Sequence, residues 1–305
     1  MDGTNGGRGM GWLKDYPDFR DYTSAHADVA AALAKAKLGP AGAGAKRALP
    51  ARADLRAWCS PVDDQGRLGA CTANAGAGLV EYCERKAFGD HVEASRLFIY
   101  KVTRDLMRVS GDHGAYLRST MGALALFGVP PEKYWPYEIE RFDVEPPAFC
   151  YGFAEHYSAL KYFRLDPAGT AKPALLQAIR RYLAAGLPAM FGFTVYGSIA
   201  QADGTGEVPF PAPGEKVEGG HAIVAVGYDD ARKIRNTARG ATATTGALLI
   251  RNSWGAAWGE QGYGWLPYAY VLAGLAEDWW ALVKMEWMET GEFGLAANPG
   301  DRTCI

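Results

Sequence analysis

The chain has 305 residues, 49% of them hydrophobic and 22% charged, which places it among ordinary globular proteins with enough apolar material for a sizeable core. Thirty-two basic against thirty-four acidic residues give a formal charge of -2, so no global field points to nucleic acid or an anionic membrane as partner. The cysteines at 59, 71, 83, 150 and 304 are widely spaced and form no CxxC pair, which argues against a disulfide framework and against a zinc site.

Residues 1–25 carry Asp2, Arg8, Lys14, Asp15, Asp18, Arg20 and Asp21, with no apolar run fit for a signal-peptide core, and no stretch reaches membrane-spanning length. A soluble chain is expected, cytoplasmic or exported by a leaderless route. Residues 1–48 read as an appended segment: a glycine-rich start, the aromatic and charged patch "WLKDYPDFRDY", an alanine-rich stretch from His26, then "GPAGAGAKRALP". Trp12, Tyr16, Phe19 and Tyr22 are expected to pack on the body, because rings of that size are costly to leave in water.

Helices are expected from Cys71 to Ala87, from Ser95 to Val109, from Leu117 to Phe127 before Gly128 and Pro130, and from Pro173 to Ala185. In the first of these, Gly76 and Gly78 lower helix propensity and imply burial against close neighbours. After Pro147 the texture turns to β-rich runs, "PAMFGFTVYGS", "HAIVAVGYDD", "GALLIRNSWG" and "WWALVKMEW". Helices first and strands later predict an α+β fold of two lobes, helical over about 49–150 and sheet-rich over about 151–290, with a cleft between them.

The stretch "DQGRLGACTANA" places Cys71 where a glycine-bearing turn enters a helix. There the helix dipole and free N–H groups lower a thiol's pKa. A thiol nucleophile needs a base, and His221 opens the apolar strand "HAIVAVGY" behind two glycines. The imidazole needs an orienting group, and Asn252 in "IRNSWG" comes back beside His221 if the two runs pair antiparallel. Gln65 can bring its side-chain amide beside the Cys71 N–H, giving donors for an oxyanion.

In these residues the chain resembles the papain family of cysteine peptidases. The matching pieces are "PVDDQGRLGAC", "GDHGAYLRSTMGALALFGV", "YWPYE", "GGHAIVAVGYDD" and "IRNSWGAAWGEQGYG", in the family's order from Leu49 to Trp287. The resemblance implies a helical lobe and an antiparallel, barrel-like sheet lobe. It assigns Cys71 as nucleophile, His221 as base and acid, Asn252 as its orienting partner, Gln65 as oxyanion donor and Trp254 as a shield for the Asn252–His221 bond. Gly114, Ala115 and Gly220 are expected to bind the backbone of a peptide or protein substrate. It implies no cofactor and no metal, with a monomer expected. Residues 1–48 are expected to be an inhibitory prosegment or lid, and residues 49–305 the peptidase domain.

Two departures from that family matter. Leu68 and Asp112 stand where most members have a disulfide-forming pair, a feature shared with a bacterial or protist branch, so the turn before Cys71 is expected to be held by packing. Thr72 and Asn74 replace aromatic residues. Two other readings use the same motif: an acyltransferase or transpeptidase working through the same thioester, and a catalytically silent binding module. His26, His91, His113 and His156 lack a partner motif and read as surface or structural. Cys59, Cys83, Cys150 and Cys304 read as structural, with pairing of Cys59 or Cys304 open in an oxidising compartment. Trp258, Trp265, Trp279, Trp280 and Trp287 are expected to fill the sheet lobe. The stretch 229–246, with Arg232, Lys233, Arg235 and Arg239, reads as a long solvated loop or a docking site for an acidic partner.

Overall fold

The computed structural model describes residues 7–35, 38, 48–155 and 157–287, with the backbone alone at 159, 160 and 284–287. In chain order the elements are α1 (Ala27–Lys35), β1 (Arg52–Asp54), α2 (Cys71–Phe88), α3 (Arg96–Met107), α4 (Leu117–Leu126), α5 (Ala148–Ala154), β2 (Tyr157–Arg164), α6 (Lys172–Ala184), β3 (Ala189–Tyr196), β4 (Val217–Arg235), β5 (Ala243–Arg251), β6 (Tyr263–Pro267), α7 (Tyr268–Leu272) and β7 (Ala276–Trp287). Helices α2 to α4 pack on one another, and the strands form one sheet in the order β2-β7-β3-β4-β5-β6, with β1 also on β4. Every strand pair is antiparallel. The expected mixed α+β architecture is present, with short β1 crossing from the helical half of the sequence into the sheet.

Helix α2 is the axis of the molecule, and every residue from Cys71 to Glu84 is buried. Its glycines explain how a helix can be covered on all sides. A Cβ on Gly76 would press on Thr120 and Leu124, and one on Gly78 would meet the Arg251 guanidinium. The helix ends at Gly89, left-handed at φ 84°, whose N–H closes on the Arg85 carbonyl. Its start is different: Ala70 offers no side-chain cap, so the first-turn N–H groups keep their capacity to hold negative charge. By contrast, α3 is capped by Ser95, whose side chain accepts from the Phe98 N–H at 3.2 Å.

The β4–β5 hairpin corrects the reading of 229–246 as a loop. Strand β4 runs on to Arg235 and β5 starts at Ala243, with Lys233 opposite Thr245 and Arg235 opposite Ala243. Arg232 is committed to Glu207 at 2.8 Å and Glu260 at 3.2 Å and lies over the Trp265 ring. Buried Asn236 donates to the Phe210 carbonyl and to Glu215. Of the charged residues in that reading, Arg232, Lys233 and Arg235 belong to β4, and Arg239 lies exposed in the turn between the strands.

The aromatic patch near the start also differs from expectation. Trp12 is buried, while Tyr16 is 73% and Phe19 96% exposed, and Tyr22 is exposed with its ring edge-on to His26 and Tyr162. His26 and His113 are exposed and His91 is half-buried. His156, Cys304 and the Trp287 side chain lie outside the described residues. Trp258, Trp265, Trp279 and Trp280 are buried, and Cys59, Cys71 and Cys150 are free thiols. Among the described residues no helix is long and apolar enough to cross a membrane, and no cluster of His, Cys, Asp and Glu is arranged to hold a metal.

Candidate active site

Antiparallel pairing of β4 with β5 places Val224 opposite Arg251, which carries the residue after β5 back toward the start of the β4 apolar run. Asn252 Oδ1 lies 2.8 Å from His221 Nε2, and both side chains are buried. The same Oδ1 accepts the Ser253 N–H at 2.8 Å. A backbone N–H can only donate, so the Asn252 atom is the oxygen and His221 Nε2 carries the proton. In the neutral ring Nδ1 is then the bare acceptor, and it has no hydrogen-bond partner. The Trp254 ring stacks on the imidazole at 4.6 Å between centroids and 23° between planes, covering the bond from water. Phe193 meets the imidazole edge-on at 5.9 Å. Burial in this apolar surround pushes the His221 pKa down to about 4, against the Asn252 hydrogen bond that raises it.

Cys71 opens α2 and is fully buried. Burial pushes its thiol up to about 11, although the backbone groups of Ala222, Gly11 and Thr72 all favour the thiolate. The contact with Ala222 sets the sulfur against the residue that follows His221. Among the described residues no hydrogen bond joins Cys71 to His221. The low thiol pKa expected of a helix start is reversed here by burial, which outweighs those backbone groups.

Gln65 is buried beside this turn. Its N–H bonds the Ser253 carbonyl at 2.8 Å, and its side-chain oxygen takes the Ser253 hydroxyl at 2.5 Å. Its side-chain amide donates to the Leu68 carbonyl at 2.8 Å and to the Gly9 carbonyl at 3.0 Å. The turn itself is closed by Asp112, which accepts the Gly69 N–H at 3.0 Å and the Tyr100 hydroxyl at 2.5 Å, with Leu68 buried beneath. Packing thus has a hydrogen-bond partner at the position where a disulfide was absent.

The cleft is occupied by the chain's own start. Gly9 N–H reaches the Gly66 carbonyl at 2.9 Å, and Trp12 N–H the Gly220 carbonyl at 3.1 Å. Ala115 gives its N–H to Gly11 at 2.7 Å and takes that of Leu13 at 3.0 Å, as a parallel bridge centred on Trp12. The φ of 76° at Gly114 lets this edge approach so closely that a Cβ there would overlap the Gly11 carbonyl. Arg8 lies over the Trp254 ring and bonds Asp203 at 2.5 Å. Beyond the cleft Arg118 bonds Asp21 at 2.6 Å, the Tyr16 carbonyl at 2.7 Å and also Asp15. The structure brings the expected Gln65, Gly114, Ala115 and Gly220 together along the chain's start. The contacts of Gly9 and Gly11 were not foreseen, since no local periodicity marks a segment that pairs with residues far along the chain.

The comparisons with known proteins agree with one another. Residues 49–278 match the papain family cysteine protease domain. The chain is 36% identical over 228 residues to an uncharacterized peptidase C1-like protein, L477, of Acanthamoeba polyphaga mimivirus, covering 73% of this chain and 69% of that one. It is 29% identical to cathepsin K of Gallus gallus over 226 residues, 70% of this chain and 58% of the relative. Among solved structures, xylellain, a cysteine protease from Xylella fastidiosa, superposes with a TM-score of 0.68 at 31% identity, covering 92% of this chain and 97% of its own. By the domain match, by sequence and by fold, the chain belongs to the papain family of cysteine peptidases and is a hydrolase.

Proposed function

We propose that the protein hydrolyses peptide bonds with Cys71 as nucleophile, His221 as base and acid, Asn252 as its orienting partner, and Gln65 with the Cys71 N–H as oxyanion donors. One observation carries this reading: Asn252 fixes the proton on His221 Nε2 under Trp254 and leaves Nδ1 as a bare buried acceptor. Nδ1 takes the thiol proton and the sulfur attacks the substrate carbonyl carbon. The carbonyl electron pair moves onto oxygen, where the Gln65 amide and the uncapped start of α2 stabilise it. Collapse breaks the C–N bond, and the leaving amine takes the proton from His221. Water, deprotonated by the same nitrogen, then opens the thioester and restores the thiol. The family comparisons favour this hydrolysis over the transferase and silent-module readings.

In the same reading residues 1–48 act as a lid. The Gly9 carbonyl accepts the Gln65 amide N–H that would otherwise go to substrate, and Gly11 to Leu13 take the pairing edge of Ala115. Peptide and lid therefore compete for one cleft. The test is labelling by a peptidyl epoxide, with the modified residue located by mass spectrometry, beside hydrolysis of a peptide substrate. Both are expected at Cys71 in the Gly11→Ala chain and lost in its Cys71→Ala counterpart, which keeps its circular dichroism. Equal hydrolysis by the Cys71→Ala chain would overturn the reading.

A further inference from the structure

The side chain of Trp12 fills a pocket whose chemistry goes beyond backbone pairing. Its indole lies in a slot between Gly192 and Gly220, and a Cβ on either glycine would overlap the ring. At the far end the indole N–H donates to Asp278 Oδ2 at 3.2 Å, with both residues buried. Asp278 is not in ordinary strand conformation: its φ is 61°, and the β3–β7 register shifts between Met190 and Gly192 beside it. Bulges of this kind re-aim side chains next to active sites. Buried Asp166 holds the bulge by accepting the Asp278 N–H at 2.8 Å and the Trp279 N–H at 3.0 Å.

The two Asp278 oxygens have different occupations. Oδ1 takes the Trp280 indole N–H at 2.7 Å and sits 3.2 Å from an Arg164 nitrogen. Oδ2 faces the slot, where its donor is Trp12. When the lid leaves, Oδ2 loses that donor in a buried site, and an unpaired buried carboxylate oxygen is costly. A phenylalanine fills the slot with carbon alone and leaves Oδ2 dry and unpaired, whereas an indole restores the bond that Trp12 made.

We infer that Asp278 is a specificity-determining residue that makes this slot select a planar side chain with an N–H donor at its far edge, tryptophan foremost, from a peptide substrate. The inference rests on the peptidase reading above for the identity of its ligand as a substrate.

The test uses the full chain carrying Trp12→Ala, in which the slot is vacated, and peptides that differ only by Trp or Phe at each position around the cleaved bond in turn. At one position Trp is expected to exceed Phe in kcat/KM by about tenfold, the scale of one hydrogen bond to a charged group. Adding Asp278→Asn leaves Oδ1 to Trp280 and Arg164, turns an N–H toward the slot and is expected to abolish the preference. In parallel, labelled peptides of sequence GMGWL and GMGFL are titrated onto the Trp12→Ala, Cys71→Ala chain, with the Trp peptide expected to bind about tenfold tighter. Tight and selective binding without hydrolysis of any peptide would uphold the slot and sink the peptidase reading. Hydrolysis with equal rates for Trp and Phe, or a preference that survives Asp278→Asn, would overturn the inference and leave the peptidase reading intact. Should Asp278→Asn not fold, Trp12→Phe in the otherwise unaltered chain decides: weaker self-occlusion, seen as several-fold faster epoxide labelling, upholds the donor requirement, and unchanged labelling refutes it.

Discussion

The Gly9 carbonyl oxygen lies 3.0 Å from the side-chain amide of Gln65, so the donor proposed for a substrate's oxyanion is already spent on the chain itself. The bond is one of a row. Gly11, Trp12 and Leu13 use the Ala115 and Gly220 backbone in turn, and Arg8 and Arg118 fasten the two ends of the row.

The amino-terminal segment, the proposed lid, depends on glycine where it crosses the Cys71 turn. A Cβ on Gly11 would overlap the Gly69 carbonyl, and one on Gly9 the Leu68 carbonyl. Gly11→Ala is therefore expected to unseat the lid without touching a catalytic side chain, raising kcat/KM on a short peptide by at least about tenfold, the equivalent of one or two lost hydrogen bonds. Steady-state kinetics beside the unaltered chain check this, and an unchanged or lower rate would show that the row does not restrain the enzyme.

Asn252 fixes both the tautomer and the plane of His221. Asn252→Ala is expected to lower kcat by about 100-fold, the lower end of what a positioned acid–base group supplies, with a smaller change in KM. Because Trp254 still covers the ring, epoxide labelling of Cys71 is expected to slow in parallel with kcat. A variant that keeps its full kcat would remove Asn252 from the mechanism.

The far end of the lid is held by charge. Burial raises the Asp21 carboxyl, but hydrogen bonds from Arg118 and from the Asp18 N–H outweigh it and leave the group below its usual range. A carboxylate depressed in the seated state favours seating when ionised. That contribution is fully present above the free value of about 3.9 and is lost as pH falls through the lower, seated value. Protection of the Trp12 and Leu13 amides from hydrogen exchange, corrected for intrinsic rates, is expected to drop below about pH 4. Arg118→Ala should produce the same loss at neutral pH, at a cost of about 2 kcal/mol. Equal protection in that variant would assign the anchor elsewhere.

Asp112 closes the turn before Cys71 through the Gly69 N–H and the Tyr100 hydroxyl. Asp112→Ala leaves both donors without their acceptor and is expected to destabilise the chain by about 1–3 kcal/mol, read from urea denaturation. Asp112→Asn keeps an acceptor and should recover part of that loss. If both variants denature at the midpoint of the unaltered chain, Leu68 packing alone holds the turn.

The residue order Gln65, Cys71, His221, Asn252, Trp254 was legible along the chain because each sits at the end of an element whose own pattern is local. A glycine-bearing turn enters an alanine-rich helix, and two apolar runs of strand period return on each other, so antiparallel pairing alone returns Asn252 to His221. The helices followed the same logic, with ends marked by Ser95, Gly89 and Gly128. What lay beyond the sequence was decided by contacts between distant segments. The glycine-rich start has no period and no ladder of its own, and its conformation comes from Ala115 and Gly220, to which it is bonded. Of four neighbouring aromatics only Trp12 is buried, since only it meets a slot made by Gly192, Gly220 and Asp278. The Asp278 carboxylate points there because Asp166 holds a left-handed bulge in β7. Local pattern marked the main helices, the apolar runs of β3, β4, β5 and β7 and the candidate site residues. Tertiary pairing alone decided what covers them and which side chain the cleft is shaped to hold, because hydrogen bonds between residues far apart in sequence leave no periodic trace.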